Sequence, residues 1–122
     1  MTVAPSCPAL LVHADDAFRQ SLIVQLDQKH FSVTYTADGA EAVKALEARS
    51  FKVILVAVNL KHHIGLDVLR YLVEKHPEDS GIIILGEPDP DLRSYARVAD
   101  ETLLKPVDPN YVADRARAYC RH

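Results

Sequence analysis

Two short polar stretches hold most of the side chains that could do chemistry, His13-Ala14-Asp15-Asp16 and Asn59-Leu60-Lys61-His62-His63. Each follows an apolar run, so both are expected at the ends of buried strands. Imidazole nitrogens suit zinc, copper or nickel, and His13 with His62 and His63 would be the donors. Adjacent histidines usually diverge, however, and no carboxylate or cysteine is obviously placed to complete the set. No metal is expected. Asp15 and Asp16 offer hard oxygen ligands, but a helical pattern begins just after them, and an aspartate there caps free N–H groups. Cys7 and Cys120 lie near opposite ends of the chain without C-x-x-C spacing, which favours free thiols over a disulfide or a zinc site.

Nucleophilic and nucleotide chemistry find less support. Ser21, Ser50, Ser80 and Ser94 fall in helices or plain loops and Ser32 in a plain strand, none with a strained glycine elbow, so hydrolase chemistry has no basis. Gly39 and Gly65 read as helix starts, and no G-x-G-x-x-G run follows the first strand, which argues against a dinucleotide or flavin domain. The chain reads as a non-enzyme with no cofactor. A basic set remains: Arg93 and Arg97 at i, i+4, then Arg115, Arg117 and Arg121. It is either a partner face or a solvated surface neutralised by Asp91, Asp100 and Asp114.

The elements that position these residues follow from hydrophobic pattern. Val53-Ile54-Leu55-Val56-Ala57-Val58 is an unbroken apolar run, the mark of a strand buried on both faces in the middle of a parallel sheet. Gly81-Ile82-Ile83-Ile84-Leu85 is a second such strand, Ala9 to Val12 a short third, and Phe31 to Tyr35 an alternating one. Phe18, Leu22 and Leu26 mark a helix ending near Lys29, and Asp38-Gly39-Ala40-Glu41 has the form of a capping box for a second. Leu66, Leu69, Leu72 and Val73 mark a third, stopped by His76-Pro77. Leu92, Tyr95, Ala96 and Ala99 give a short fourth helix, Thr102-Leu103-Leu104 the last strand, and Pro109 opens a fifth helix with Val112, Ala116 and Tyr119 inward. Strict alternation with short joints implies right-handed crossovers and one doubly wound parallel sheet, with chemistry at the carboxyl ends of its strands.

Composition bounds the function classes. The chain has 122 residues, enough for one core, with 48% apolar and 25% charged residues, as in soluble globular domains. A net charge of −3 gives no general attraction to nucleic acid or membrane. Apolar runs fall far short of a membrane span, and Met1 to Pro8 reads as a frayed leader without the form of a signal peptide, so a cytoplasmic location is expected. Residues 9–122 are expected to form the single domain.

From about Ala9 to Tyr119 the order of these motifs resembles the receiver domain of response regulators in two-component signalling. Thr36-Ala37-Asp38-Gly39-Ala40-Glu41-Ala42 is similar to the family's entry to its second helix, Gly65-Leu66-Asp67-Val68-Leu69 to its third, and Leu103-Leu104-Lys105-Pro106 to its closing signature. The resemblance implies a flavodoxin-like (βα)5 fold. It also implies a phosphorylation site, and there the chain departs from the pattern. The family's phosphoacceptor aspartate corresponds to Ala57, and the proline four residues on to Lys61. Counting back from Arg19 puts His13 and Ala14 where the family holds magnesium with an acidic pair; a rival register makes Asp15 and Asp16 that pair. The family's hydroxyl residue after the fourth strand corresponds to Gly86, and its switching aromatic to Thr102. Lys105 alone keeps its family identity, with an ordinary role of snorkelling or meeting Asp15, Asp16 or a carbonyl.

The implied reading is a degenerate pseudo-receiver whose pocket comprises His13, Ala14, Asp15, Asp16, Ala57, Asn59, Gly86, Thr102 and Lys105. It would act through protein recognition without phosphorylation, binding a partner or a second copy through the fourth helix, fifth strand and fifth helix. Arg93, Tyr95, Arg97 and Arg115 are the expected contacts. An output domain is expected if the chain is a fragment, with no nucleic acid bound by this domain. Two alternatives stand beside it: a small-molecule sensor using a pocket emptied of charge, and a conventional receiver in which Ala57 is an engineered replacement for aspartate.

Overall fold

The computed structural model describes residues 6–75, 77–95 and 97–120. Strands and helices alternate as β1 (Cys7–Val12), α1 (Asp16–Gln28), β2 (Phe31–Thr36), α2 (Gly39–Ala48), β3 (Val53–Val58), α3 (Leu66–Lys75), β4 (Gly81–Gly86), β5 (Glu101–Leu104) and α4 (Pro109–Arg117). Three 3₁₀ turns, Leu60–His62, Pro90–Tyr95 and Ala118–Cys120, complete them. All strand pairings are parallel, in the order β2-β1-β3-β4-β5. This is the expected flavodoxin-like doubly wound sheet.

Both faces of the sheet are covered, which is why its central strands carry no polar residue. Alternate side chains of one strand go to opposite faces. Leu10, Ile54, Val56 and Ile84 pack with Ala42, Leu69 and Leu72 of α2 and α3. Leu11, Val53, Leu55 and Ile83 pack with Leu22 and Leu26 of α1 and Val112 and Ala116 of α4. Every residue of β3 and β4 is buried. No helix among the described residues is long and apolar enough to cross a membrane.

Several local expectations need correction. The fourth helix is a 3₁₀ segment, Pro90–Tyr95, rather than an α-helix. A proline disfavours the α region for the residue before it, here Glu87 and Asp89, and Asp89 closes a tight turn by accepting from the Asp91 N–H at 2.8 Å. Of the expected stripe Leu92 is buried and Tyr95 and Ala99 are partly buried against the core, while Val98, outside that stripe, is buried as well. Ala96 lies outside the described residues, as do Arg121, His122 and the His76 expected to stop α3. Asp38 does cap α2, but its carboxylate accepts from Ala40 N–H while Glu41 turns to Lys44 at 3.5 Å, so no reciprocal capping box closes. Strand β1 starts at Cys7, two residues before Ala9, paired with Phe31.

The cysteines are the largest correction. Cys7 and Cys120 form a disulfide with Cα atoms 5.7 Å apart across a sequence separation of 113. Separation along the chain argued against pairing, but the parallel order brings the start of β1 beside the turn that follows α4, and sequence spacing carries no information about that.

Candidate functional site

The sheet order reverses between β1 and β3, and their carboxyl ends therefore diverge into a crevice. The residues at its floor come from the first positions past each strand. His13 follows β1, and its backbone N–H still donates to Thr36 O at 3.1 Å, so the ring is held at the strand end. Ala57 is the penultimate residue of β3 and 3% exposed. Asn59 turns the chain out of β3: its carboxamide oxygen accepts from His62 N–H, and its backbone bridges to Ile64. Gly65 then enters α3 at φ +83°, where a Cβ would stand 2.4 Å from the Ala57 carbonyl oxygen. Glycine is required there on both counts.

A cavity of about 420 Å³ opens above this floor, lined by His13, Ala14, Ala57 and Asn59. Its charged residues are Asp15, Glu87 and Lys105. A second hollow of about 380 Å³ shares His13 and continues over Phe18, Pro106 and Val107. Lys105 reaches Glu87 at 3.6 Å, not Asp15, Asp16 or a carbonyl. The Lys105–Pro106 peptide is cis.

His13 is the one buried charged or polar residue of the described core, 3% exposed. Its Nδ1 accepts the Asp15 backbone N–H at 3.1 Å, which fixes the neutral tautomer with the proton on Nε2. That Nε2 is buried with no hydrogen-bond partner among the described residues. The ring stacks on Phe18 with centroids 4.8 Å apart. Burial, with the Lys105 ammonium nearby, lowers its pKa to about 4.

Asp15 and Asp16 do not face the crevice as a pair. Asp15 is the N-cap of α1, accepting from Phe18 N–H at 3.1 Å, and that hydrogen bond holds its carboxyl below the usual range. Asp16 accepts from Arg19 and from Gln20. Arg19 also donates to the His13 carbonyl at 2.8 Å, tying α1 back to the end of β1. His62 and His63 are exposed, and His63 sits in the left-handed region at φ 58°. Among the described residues no three His, Cys, Asp or Glu side chains are grouped to hold a metal ion.

Gly86 and Thr102 do not line the cavity. Leu92 occupies the space a side chain at Gly86 would need, with its Cδ2 only 2.7 Å from an added Cβ. The pocket is thus not enlarged at that corner. Thr102 lies in β5 opposite Ile84, two positions behind the strand ends. Glu87 is the charged lining residue absent from the expected pocket, along with the apolar Val58 and Ile64; its place, one residue past a wholly apolar strand, was the available signal.

The arginines are distributed differently from their spacing. Arg93 and Arg97 are exposed, but they lie in and after a 3₁₀ segment, so i, i+4 spacing does not set them on one helical face. Arg115 donates to Glu101 at 2.7 Å, and Tyr119 donates to the same carboxylate. Burial pushes Glu101 up, but these two hydrogen bonds outweigh it and hold the carboxyl below its usual range. Asp100 accepts from Ile82 N–H and Asp114 meets Lys29 at 3.7 Å, so neither of these neutralises the arginines. Tyr95 is half-buried against the core, whereas Leu104 and Tyr111 are exposed.

Comparison with known proteins agrees with this geometry. A family model described as the response regulator receiver domain matches residues 9–117. The cell cycle transcriptional regulator CtrA of Caulobacter vibrioides is 30% identical over 114 residues, covering 92% of this chain and 49% of that protein. The chain thus spans about half the length of the curated relatives it matches. HP1043, an orphan response regulator of H. pylori, superposes with a TM-score of 0.79 at 18% identity, over 96% of this chain and 98% of that one. A structure described as belonging to redox sensors in the streptococci that evolved from two-component response regulators gives 0.80 at 24% identity, over 95% of this chain and 52% of that one. Likeness at these two identities speaks to the fold. The family match over residues 9–117, on a sheet whose switch point opens where receivers carry their site, makes this chain a member of the response regulator receiver domain family.

Proposed function

We propose that this receiver domain works without aspartyl phosphorylation, as a recognition module held in one state in signal transduction or transcriptional regulation. The observation that carries the reading is the Ala57 methyl group at the carboxyl end of β3, with His13 and Ala14 at the end of β1. Acyl-phosphate formation needs a carboxylate nucleophile, and neither Val58 nor Asn59 supplies one. Magnesium needs hard oxygen ligands, and the nearest carboxylates are engaged elsewhere: Asp15 as a cap, Asp16 with Arg19, Glu87 with Lys105. The partner is a protein or a second copy, met through β5, α4 and the 3₁₀ segment before them, in a cytoplasmic setting. An attached output domain is a further partner where the chain is part of a longer protein, since the curated relatives are transcriptional regulators about twice its length.

The test is intact mass after incubation with an acyl-phosphate donor and magnesium. An unchanged mass is expected. A stable gain of one phosphoryl group mapped to this crevice would overturn the reading and restore the conventional one.

A second reading, a small-molecule sensor, is favoured by one specific feature. The cavity of about 420 Å³ is lined by His13, whose buried Nε2–H lacks an acceptor among the described residues. Buried donors of that kind cost stability unless a ligand or water accepts from them. Asp15, Glu87 and Lys105 keep the cavity charged, so a polar ligand fits better than an apolar one.

A further inference from the structure

At the opposite edge of the sheet from the crevice, the Cys7–Cys120 disulfide lies in the wall of an open groove of about 320 Å³. Both cysteines are half-buried, so their sulfurs are neither sealed in the core nor fully in solvent. The groove is also lined by Lys29, His30, Lys52 and Arg117, with no aspartate or glutamate among the described lining residues. On a chain of net charge −3, three permanent cations around one disulfide are a local inversion of sign. Lys29 is partly offset by Asp114 at 3.7 Å and by Asn110, while Lys52 and Arg117 have no ion-pair partner among the described residues.

Cations beside a disulfide act on its chemistry in two ways. They stabilise the thiolate that departs when the bond is attacked, and they concentrate anionic thiols that do the attacking. In a reducing compartment, disulfides that persist only transiently serve redox sensing rather than structure. We propose that Cys7 and Cys120 form a thiol–disulfide exchange site whose substrates are low-molecular-weight anionic thiols and their disulfides.

In the reducing direction a thiolate attacks one cysteine sulfur and expels the other cysteine as a thiolate, forming a mixed disulfide. A second thiolate attacks the small-molecule sulfur of that bond and releases the remaining cysteine. Two cysteine thiols and one small-molecule disulfide result, and two electrons pass to the protein. Oxidation by the small-molecule disulfide is the reverse.

The consequence for the fold is local. The bond fastens the Ala118–Cys120 turn to the start of β1. Tyr119 of that turn packs over Gly81 and donates to Glu101, the same carboxylate that holds Arg115. Reduction therefore loosens a turn joined through one carboxylate to the proposed partner face. The exchange chemistry is independent of whether the crevice at the other end of the strands accepts a phosphoryl group.

The experiment compares two reductants of the same oxidised protein. Glutathione thiolate carries net charge −2 and cysteamine thiolate none, so the ratio of their rate constants isolates attraction of the incoming anion from any change in the leaving thiolate. The ratio is measured on the wild type, on Lys52→Gln with Arg117→Gln, and on the wild type at high salt. Removing these cations should lower the ratio about threefold or more, as expected for screened attraction of a doubly charged anion, and high salt should lower it similarly. Because both rates come from one sample, errors in protein concentration cancel, and matched urea unfolding midpoints of the oxidised proteins keep exchange through unfolded chain out of the ratio. An unchanged ratio in both tests would overturn the proposal, as would free cysteines after equilibration with glutathione disulfide.

Discussion

The proposed reading turns on Ala57, whose side chain is a methyl group at the carboxyl end of β3, and on its neighbours. Ala57→Asp alone should not restore efficient phosphorylation, because the metal that offsets phosphoryl charge would still lack its other ligands, and such groups act as a unit. Ready phosphorylation and tight magnesium binding by the single mutant would show that Asp15 and Asp16 leave their cap and ion pair to serve as the metal pair. His13 offers a second test. Its pKa of about 4 lies below the value of about 6.5 for an unfolded histidine, so the unfolded state binds the proton more tightly. The stability from keeping His13 neutral is complete above pH 6.5 and is lost as pH falls from there through 4. The full loss is about 3 kcal/mol. Urea unfolding across this window should show the slope in the wild type and much less of it in His13→Asn, which retains an acceptor for the Asp15 N–H. Equal slopes would mean that His13 is not the group being titrated.

At the scale of elements, the segment between β4 and β5 departs most from a regular (βα)5 pattern. A 3₁₀ turn with prolines at 88 and 90 replaces a helix, and Leu92 fills the space beside Gly86. Each proline fixes one backbone torsion, so this segment has few ways to rearrange. On the proposed reading a face built on it needs no phosphate to bind, and its affinity is expected not to respond to a phosphate donor. Arg115 is committed to Glu101, so reversing its charge would disturb the fold as well as any interface. Arg93 and Arg97 are the cleaner probes. Charge reversal at both should weaken association with a partner or second copy by at least about tenfold, in line with arginine's share of interface hot spots, with the circular dichroism spectrum unchanged. Unaltered binding and self-association would move recognition to the crevice.

For the molecule as a whole, the disulfide turns nearly the entire chain into one closed loop. Loop-closure entropy assigns such a crosslink about 4 to 5 kcal/mol, acting on the unfolded state. Strand pairing and both apolar cores form without it, so the reduced domain should remain folded but unfold at lower denaturant concentration. Equilibrium unfolding with and without reductant measures this. An identical midpoint would mean that the bond contributes nothing or does not form. The charge distribution works at the same scale. A mildly acidic molecule keeps a basic groove at one edge of its sheet and a mixed-charge crevice at the other, so ligands of different charge would be drawn to different ends.

The parallel sheet was legible in the residue pattern. Unbroken apolar runs at residues 53–58 and 82–85 can be buried on both faces only in a parallel sheet, and helical stripes between them leave one way to cover it. The observation behind the proposed function was equally legible, since Ala57 is an alanine in any fold. Tertiary structure decided what no spacing encodes. Cys7 meets Cys120 because β1 and the turn after α4 lie side by side, and Lys105 meets Glu87 because two neighbouring strand ends present them to each other. That Asp15 caps α1 and also lines the crevice is likewise set by the orientation of α1, which Arg19 ties to the end of β1 through the His13 carbonyl. Local pattern records what a residue must avoid, chiefly water for an apolar side chain. Partners distant in sequence are chosen by packing.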